Sequence, residues 1–207
     1  MRTNSRAHSL FRSAVGYLVS LAGRTSLIQA EAGTRRSLFI SRARAGRDGR
    51  RLVNREAIER LAAQSGFVVV HPETLPLADQ LGLFAGAGCI VGEYGSGLHG
   101  SMFAAPGTLV CALRANAIHP GFLQSGLCQV MDQKVGYVFG PAGENDIAQE
   151  FTIQETCFEW ALRLMDLLGP RGVARATNGV RPGRRRSLAN DMRSWSVARL
   201  CGRLFGQ

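Results

Sequence analysis

The chain has 207 residues, of which 45% are hydrophobic and 19% charged; this balance excludes a disordered polar chain and suits one buried domain with tails. Its net charge of +10 is unevenly distributed, because residues 1–60 and 171–207 are strongly basic whereas residues 61–170 carry 3 basic and 10 acidic side chains. The sequence therefore predicts an acidic body between two basic ends.

The cysteines and the N-terminal apolar segment argue against a disulfide framework, a zinc site and a membrane span. The five cysteines are scattered, without Cys-x-x-Cys or Cys/His spacing, as expected for reduced thiols in a cytosolic protein. Residues 1–36 are predicted to be helical or irregular. Their apolar run 10–22 contains Arg12 and is shorter than the roughly 20 residues that span a membrane, but residues 10–21 are a candidate helix.

From residue 37 onward, short apolar runs alternate with helical patterns. The runs are continuous and rich in β-branched and aromatic residues, which is typical of parallel strands buried on both faces. They are residues 38–40, 67–70, 89–91, 109–113 and 137–139. Together with the helical patterns between them, they predict a doubly wound, Rossmann-like α/β domain over residues 37–170, with a parallel sheet of about five strands.

Three of the predicted helices have recognisable ends. Asn54 is predicted to cap a helix that Gly66 ends, and the next helix has an apolar stripe at Leu77, Leu81, Phe84 and Ala85. After the fifth run, Thr152 and Glu155 form a predicted capping box. The helix that follows is expected to face the core with Ile153, Cys157, Ala161, Leu164, Met165 and Leu168.

Residues 171–207 are rich in Arg, Gly and Ser and are predicted to be a basic tail, at most with a weak amphipathic helix. Nucleic-acid binding is not favoured for the tail, because its aromatic residues are few and no recognised reading module is present. The charge also suits an anionic membrane surface. One function open to the sequence is thus a non-catalytic α/β interaction domain whose basic ends bind an acidic surface of a membrane, a partner or a nucleic acid.

A glycine-rich loop follows the third predicted strand, where Gly95, Gly97 and Gly100 spell G-x-G-x-x-G. A dinucleotide fingerprint would follow the first strand and have an acidic residue about 20 residues later, and this loop meets neither condition. Backbone N–H groups at the start of a short helix, predicted over residues 98–104, still favour an anion. From the loop alone, a phosphate cradle and a tight turn that needs glycine for packing remain equal alternatives.

Arginines at the ends of other predicted strands favour the phosphate cradle. Arg42 follows the first strand, in a loop that contains five arginines, and Arg114 ends the fourth strand. Because the carboxyl ends of parallel strands lie on one edge of the sheet, these arginines and the glycine loop are expected to share a ligand-binding edge. Glu93 and His99 flank the loop as candidates for catalysis or ligand contact, against the alternatives of a solvated acid and a backbone-bonded histidine.

Several of these segments, in this order, resemble the C-terminal half of glycosyltransferase family 61, the capsular-polysaccharide type of inverting transferase. The resemblance covers roughly residues 37–140. The matching segments are Ile40-Ser41-Arg42, Asn54-Arg55-Glu56, Gly66-Phe67, His71-Pro72-Glu73, the helix with Gln80 and Phe84, and the glycine loop with Phe103 and Pro106-Gly107-Thr108.

This resemblance implies a GT-B architecture, with this domain as the half that binds the nucleotide-sugar donor for polysaccharide or glycan biosynthesis. By resemblance, Arg42 and the loop Gly95-Ser96-Gly97-Leu98-His99 hold the diphosphate of a UDP-sugar or other nucleotide-sugar, and Arg114 is an additional donor contact. No cofactor and no metal are expected. The acceptor would be a glycan or a lipid-linked acceptor, and the protein cytoplasmic, with peripheral contact at the inner face of the cell membrane.

Two departures from the family's pattern stand out. Many relatives have His where this chain has Tyr94, and only about 36 residues precede the first strand, where a complete enzyme would have an N-terminal domain. The resemblance therefore implies a truncated or split enzyme, or one completed by a second chain that supplies the acceptor domain. The residues do not identify the catalytic base.

Overall fold

The computed structural model describes residues 5–22, 35–44, 51–116, 123–143 and 150–169. Its described strands, in chain order, are Arg36–Ile40 (β1), Arg51–Leu52 (β2), Val68–Val70 (β3), Ala87–Glu93 (β4), Leu109–Ala115 (β5), Lys134–Gly140 (β6) and Glu150–Phe151 (β7). Five of them form one parallel sheet, and the short strands β2 and β7 pair separately. Each predicted apolar run overlaps one strand of the large sheet, which confirms the predicted strands.

The described helices connect and flank these strands. In chain order they are Ser5–Ala22 (α1), Arg55–Gln64 (α2), Leu77–Ala85 (α3), Ser96–His99 (α4), Leu123–Val130 (α5) and Glu155–Leu168 (α6), with 3₁₀ turns at Pro72–Thr74 and Gly100–Phe103. The predicted helix over 98–104 therefore begins two residues earlier than expected and tightens into a 3₁₀ turn.

The order of the strands across the sheet is β3-β1-β4-β5-β6. The chain winds outward from β1 to β3, then returns to β4 on the other side of β1 and continues outward to β6. This is a doubly wound topology whose order reverses between β1 and β4, as predicted. Ligands of open α/β sheets bind where the carboxyl ends of two such strands diverge, so the topology directs attention to the segments after Ile40 and Glu93.

Alternating side chains of the central strands feed two hydrophobic clusters, one on each face of the sheet. On one face, Phe39, Val91 and Leu113 pack with residues of α2 and α6, and on the other face Ile40, Ile90 and Ala112 pack with residues of α3, α4 and α5. Burial on both faces explains why the strand sequences are continuously apolar. The architecture is accordingly an α/β Rossmann-like domain with helices on both sides.

Helix α2 ends as predicted, but its start differs from the prediction. The N–H groups of Gly66 and Phe67 donate to the carbonyls of Ala63 and Ala62, a Schellman arrangement that satisfies the last turn. Asn54 precedes the helix without a side-chain cap. Its amide instead donates to the carbonyl of Ile153 at 2.7 Å and accepts from the same residue's N–H at 3.2 Å, so Asn54 joins α2 to the segment before α6.

Helix α6 is present where predicted, but its capping box was predicted wrongly and its core-facing residues only in part correctly: Ile153 and Met165 are buried as predicted. The helix begins at Glu155 after Gln154, without a side-chain cap, so Thr152 does not play the predicted role. The buried positions are Phe158, Leu162 and Met165, whereas Leu164 and Leu168 are about half exposed. The aromatic Phe158 packs edge-to-face on Phe39 of β1 and sets the orientation of the helix.

Helix α1 lies within the predicted N-terminal segment and packs against α3 and α5. Among the described helices, none has the length and apolar character that crossing a bilayer requires. The basic tail predicted for residues 171–207 lies outside the described residues, as does most of the arginine-rich loop. The expectations of membrane, partner or nucleic-acid contact by the tail therefore stay predictions.

Candidate functional site

The segments that leave β1 and β4 lie side by side at the carboxyl edge of the sheet. Ile40 pairs with Gly92 in the parallel register, and neighbouring strands lie about 4.8 Å apart. Ser41 and Arg42 therefore emerge next to the turn that begins at Tyr94. The fold brings together two of the sequence-predicted features, Arg42 and the glycine loop, although about 50 residues separate them in the chain.

The guanidinium group of Arg42 lies directly against Gly95. A methyl group built on Gly95 would stand 2.6 Å from Nη1 of Arg42, which is too close for any side chain at that position unless the arginine moved. Gly95 also has φ +159° and ψ −172°, a backbone region that is essentially restricted to glycine. Glycine is thus required here both by its own conformation and by the arginine that packs on it.

A cavity of ≈ 270 Å³ opens beside this contact. Its lining is a mixture of polar and apolar surface and comes from the ends of β1 and β3, from α3 and from the glycine loop: Ser41, Arg42, Pro72, Glu73, Gln80, Ser96 and Gly97. The cavity lies at the topological position where an α/β sheet binds ligands. It is smaller than a typical pocket for a whole drug-sized ligand, so it suits one fragment such as a phosphate or a sugar ring.

Three carboxylates hold the segment that contains Arg42, one through a side-chain hydroxyl and two through backbone N–H groups. Ser41 donates its hydroxyl hydrogen to Glu59, the N–H of Arg42 donates to Glu93 at 3.3 Å, and the N–H of Arg44 donates to Glu73 at 3.1 Å. A further bond, from the N–H of Ala43 to the Ser41 hydroxyl at 3.0 Å, tightens the turn. The side chain of Arg42 thus extends from a backbone that is fixed at successive residues.

Glu93 is the central member of these carboxylates, because it also forms a bidentate ion pair with Arg55. Its two oxygens accept from Nε and Nη2 of Arg55 at 2.7 and 3.0 Å, and only 2% of its side chain is exposed. The hydrogen bond to Glu93 raises the pKa of Arg55 above its ordinary value, against an opposing effect of burial. The predicted alternative of a solvated loop acid is therefore wrong for Glu93, and its catalytic role stays a prediction.

The glycine loop and the turn that follows it pack against α3, α5 and the segment after α5. A methyl group on Gly100 would lie 2.3 Å from the ring of Phe84, so the 3₁₀ turn at Gly100–Phe103 and α3 approach closely at this point. Below the loop, Gln124 donates to the Ser101 hydroxyl at 2.7 Å, and Gln133 donates to the carbonyls of Ser101 and Ala104. These bonds fix the 3₁₀ turn that follows the loop, which limits movement of the loop toward the core.

Within the loop, the residues predicted to bind the diphosphate differ in what they expose. Ser96 and Gly97 line the cavity, whereas the side chain of Leu98 is fully buried. The N–H groups of Leu98 and His99 both donate to the carbonyl of Gly95, and the alternatives for the His99 side chain stay predictions. The imidazole of His99 meets the Tyr94 ring edge-to-face, with the centroids 5.8 Å apart. Donor contacts by these residues stay predictions.

Arg114 lies at the carboxyl end of β5 but in different surroundings from Arg42. Only 5% of Arg114 is exposed, and its guanidinium carbon lies 5.0 Å from the centroid of the Tyr94 ring and 5.9 Å from that of Phe139. The Tyr94 hydroxyl accepts from the N–H of Leu123 at 3.1 Å, which fixes the start of α5 over this ring. The structure thus places Arg114 in a packed aromatic cluster; its contact with a donor stays a prediction.

The cysteines of the central strands are free thiols, as the sequence predicted. Cys89 and Cys111 are buried in β4 and β5, and desolvation raises the pKa of the Cys111 thiol to about 12. A thiol so far from ionisation is not a nucleophile near neutral pH. Within the described ranges, no three His, Cys, Asp or Glu side chains are grouped in a way that suits a metal ion.

The sequence did not single out Arg55, Glu73 or Gln80 as site residues, although all three belong to the segments of the resemblance. One signal was available for Arg55. It occupies the first position of α2, where the helix dipole disfavours a positive charge, so a partner outside the helix was to be expected. Glu73 and Gln80 carry no comparable signal, because their proximity to Arg42 arises only when β3 and β1 pair.

Comparison with known families gives one match. The family model described as Glycosyltransferase 61 matches residues 1–111, which is more than half of the chain. The matched range includes α1, Arg42, Arg55 and the glycine loop, and it ends before Arg114. It starts earlier and ends earlier than the resemblance over residues 37–140. A search of curated proteins found no match to the chain.

Proposed function

Because the chain belongs to glycosyltransferase family 61, we propose that its α/β domain binds the nucleotide-sugar donor of an inverting glycosyl transfer. The donor diphosphate binds beside the contact between the Arg42 guanidinium and Gly95, against the loop at residues 95–99. UDP-sugars are the first donors to test. The function served is polysaccharide or glycan biosynthesis.

The observation that carries this proposal is the contact between Arg42 and Gly95. A guanidinium held against a backbone without a side chain presents its N–H donors and the loop to the same small volume, where Ser96 and Gly97 line the adjacent cavity. Guanidinium groups bind phosphates through paired, charge-assisted hydrogen bonds. The carboxylates of Glu59, Glu73 and Glu93 accept hydrogen bonds from the Ser41 hydroxyl and from two backbone N–H groups and not from the guanidinium, so they orient Arg42 without competing for its charge.

In the proposed reaction, a base removes the proton of an acceptor hydroxyl while that oxygen attacks the anomeric carbon of the donor sugar. The bond from that carbon to the diphosphate oxygen breaks, and its electron pair leaves with the nucleoside diphosphate. Arg42 stabilises the negative charge that develops on this oxygen. Attack from the face opposite the leaving group inverts the anomeric configuration.

The proposed transfer also needs a catalytic base and a site for the acceptor. Both oxygens of Glu93 are bonded to Arg55, which makes Glu93 a poor base in this arrangement. We therefore place the base either at His99 or on an acceptor-binding domain, supplied by the same protein or by a second chain as in a GT-B architecture. A glycan or lipid-linked acceptor would bind on that domain.

Isothermal titration calorimetry with UDP and UDP-sugars tests donor binding. We expect saturable binding, weakened at least about tenfold by Arg42→Ala, since a hydrogen bond to a charged group contributes about 1.5–3 kcal/mol. Arg35→Ala is the matched control, because Arg35 is exposed and precedes β1 at the opposite edge of the sheet. Absence of UDP binding, or equal losses in the two variants, would overturn the proposal.

Transfer itself needs a separate assay. We expect the 207-residue chain to bind donor without transferring sugar to acceptors, and we expect transfer to appear when an acceptor domain is added. Release of UDP coupled to a glycosylated product is the readout. Transfer by the chain alone would contradict the role given to an acceptor domain while leaving donor binding intact.

A further inference from the structure

Helix α1 has three distinct faces. Val15 is buried and Val19 is half-buried, so this face packs against the rest of the domain. Ser9, Ser13 and Ser20 follow a second face, which is polar and exposed. The third face is exposed but apolar, and its large side chains recur at the three- and four-residue spacing of one helix side: Leu10, Phe11, Tyr17, Leu18 and Leu21. An apolar face of this length beside a polar one on the same helix indicates an interaction surface.

The surroundings of this apolar face are poor in negative charge. Helix α1 contacts α3, α5 and the 3₁₀ turn Gly100–Phe103, and these three elements contain one acidic residue, Asp79, which is 8% exposed. The sequence of α1 has two arginines and no acidic residue, and the first 30 residues have four arginines and no acidic residue. A basic segment with an apolar face complements a boundary that is anionic outside and apolar inside, which is the surface of a bilayer with acidic lipids.

Helix α6 also exposes apolar side chains, but its charge is opposite. Trp160, Leu164, Leu167 and Leu168 are about half exposed or more. The same helix contains three acidic residues and one arginine: Glu155, Glu159, Asp166 and Arg163. An anionic surface would repel these carboxylates. Because α6 packs on the other side of the sheet from α3 and α5, a flat surface that meets α1 does not meet α6.

A second copy of the chain matches the apolar face of α1 less well than a bilayer does. Pairing two copies through α1 would bring two basic segments together, and like charges repel. A helix of 18 residues is also only about 27 Å long and about 10 Å wide. Such a footprint is well below the roughly 800 Å² that each partner buries in a standard interface.

We propose that the apolar face of α1 binds at the boundary between headgroups and acyl chains of a bilayer that contains anionic lipids. The leucines, Phe11 and Tyr17 enter this boundary, the exposed serines stay at its aqueous side, and the basic segment attracts the acidic headgroups. The helix then attaches the domain to the bilayer without crossing it. This inference goes beyond the proposed function and does not depend on donor binding.

Cosedimentation of the 207-residue chain with vesicles, without UDP, tests this surface. The vesicles contain phosphatidylcholine alone or phosphatidylcholine and phosphatidylglycerol in equal parts. The α1 variant is Leu10→Ser with Leu18→Ser, at positions that are 67% and 47% exposed. The matched control on α6 is Leu167→Ser with Leu164→Ser, at positions that are 67% and 49% exposed. Thermal unfolding checks that both double variants are folded.

We expect wild type and the α6 control to bind the mixed vesicles equally, and the α1 variant to bind them at least about tenfold more weakly. Pure phosphatidylcholine should bind wild type more weakly than the mixture does. Both double variants keep residues 171–207, so binding through that segment alone would leave the α1 variant equal to wild type and would overturn the inference. Equal binding of wild type to both kinds of vesicle, or to neither, would also overturn it.

Sedimentation equilibrium without vesicles tests the competing occupant of the face. We expect wild type and both variants to be monomers. A dimer that the α1 variant dissociates and the α6 control retains would assign the face to a second copy and overturn the inference. UDP titration of the same proteins is a separate measurement, so failure of vesicle binding leaves the proposed function standing.

Discussion

Arg42 and Arg114 occupy equivalent positions, at the carboxyl ends of two parallel strands, but their environments differ. Arg42 is partly exposed, lies against a glycine and lines a cavity. Arg114 is 5% exposed and lies against the rings of Tyr94 and Phe139. Strand order brings both arginines to the ligand edge, and the residues that follow each neighbouring strand decide which one faces a cavity.

The difference comes from the residue that stands beside each guanidinium. Next to Arg42 the chain has Gly95, whose missing side chain leaves room for the guanidinium beside the cavity, whereas next to Arg114 it has Tyr94, whose ring packs on the guanidinium. A buried guanidinium over an aromatic ring contributes to stability by cation–π attraction and by packing. We therefore expect Arg42 to act mainly in binding and Arg114 mainly in stability.

The largest expected effect comes from breaking the support of Arg42. Arg55→Ala leaves Glu93 buried without its ionic partner, and removal of one member of a buried ion pair costs about 3–5 kcal/mol of unfolding free energy. Arg60→Ala, an exposed arginine on the same helix, is the control and should change stability by no more than about 0.5 kcal/mol. Urea unfolding measures both. Equal effects would show that Glu93 does not depend on Arg55.

A smaller loss of stability is expected at Arg114. Arg114→Met keeps an unbranched apolar chain but removes the charge over the Tyr94 ring, so we expect a loss of about 2 kcal/mol in the free energy of unfolding. The matched variant Arg42→Met should leave stability nearly unchanged and weaken UDP binding. A reversed result, with UDP affinity more sensitive to Arg114, would make Arg114 the main donor contact.

The next largest effect is expected on UDP affinity, from a substitution at Gly95. Gly95→Ala places a methyl group where the Arg42 guanidinium lies, so we expect UDP affinity to fall about tenfold. Gly126→Ala is the matched control, because a methyl group there meets nothing within 4 Å and α5 gains a better helix former. That control should keep UDP affinity and gain up to about 1 kcal/mol of stability. Equal affinities of the two variants would refute the role of Gly95.

The smallest expected effect is a pH dependence of stability from Cys111, in the interior of β5, in contrast to the effect of Arg114 at the edge of the same strand. Cys111 has its pKa raised from 9.0 to about 12 by burial, so its folded form stays protonated while the unfolded chain ionises above pH 9. Stability from this group is complete below pH 9 and is lost as the pH rises toward 12, with a loss of about 1.4 kcal/mol at pH 10. Denaturant unfolding of wild type and Cys111→Ala between pH 8 and 10 should show a steeper decline for wild type. Parallel declines would contradict the burial effect.

Sequence alone predicted the framework because its signals are local. The apolar runs of the strands and the glycine that ends α2 follow from burial and backbone conformation within a few residues. The prediction failed where a distant contact replaced a local one. Asn54 bonds Ile153 and not its own helix, because its side-chain amide pairs with the backbone of that distant residue, and α6 begins without a cap from Thr152.

The candidate site was only half predictable for the same reason. The position of Arg42 and the glycine loop at one edge follows from parallel strand topology. The pair of Arg55 with Glu93, 38 residues apart, and the approach of Glu73 and Gln80 to Arg42 depend on which strands pair. The α6 stripe was also misassigned, because Leu164 and Leu168 share a helical period with Met165 but lie at the outer margin of the packed face.

The most direct test of the central claim is a double-mutant cycle between Arg42 and Gly95, read as UDP affinity by calorimetry. If the diphosphate binds to both the guanidinium and the loop, Gly95→Ala weakens binding both by straining the loop and by displacing Arg42, and the second effect vanishes when Arg42 is replaced. We therefore predict that Gly95→Ala weakens binding about tenfold in wild type and much less in Arg42→Ala. Equal effects of Gly95→Ala in the two backgrounds, or no effect of either change on UDP affinity, would contradict the account.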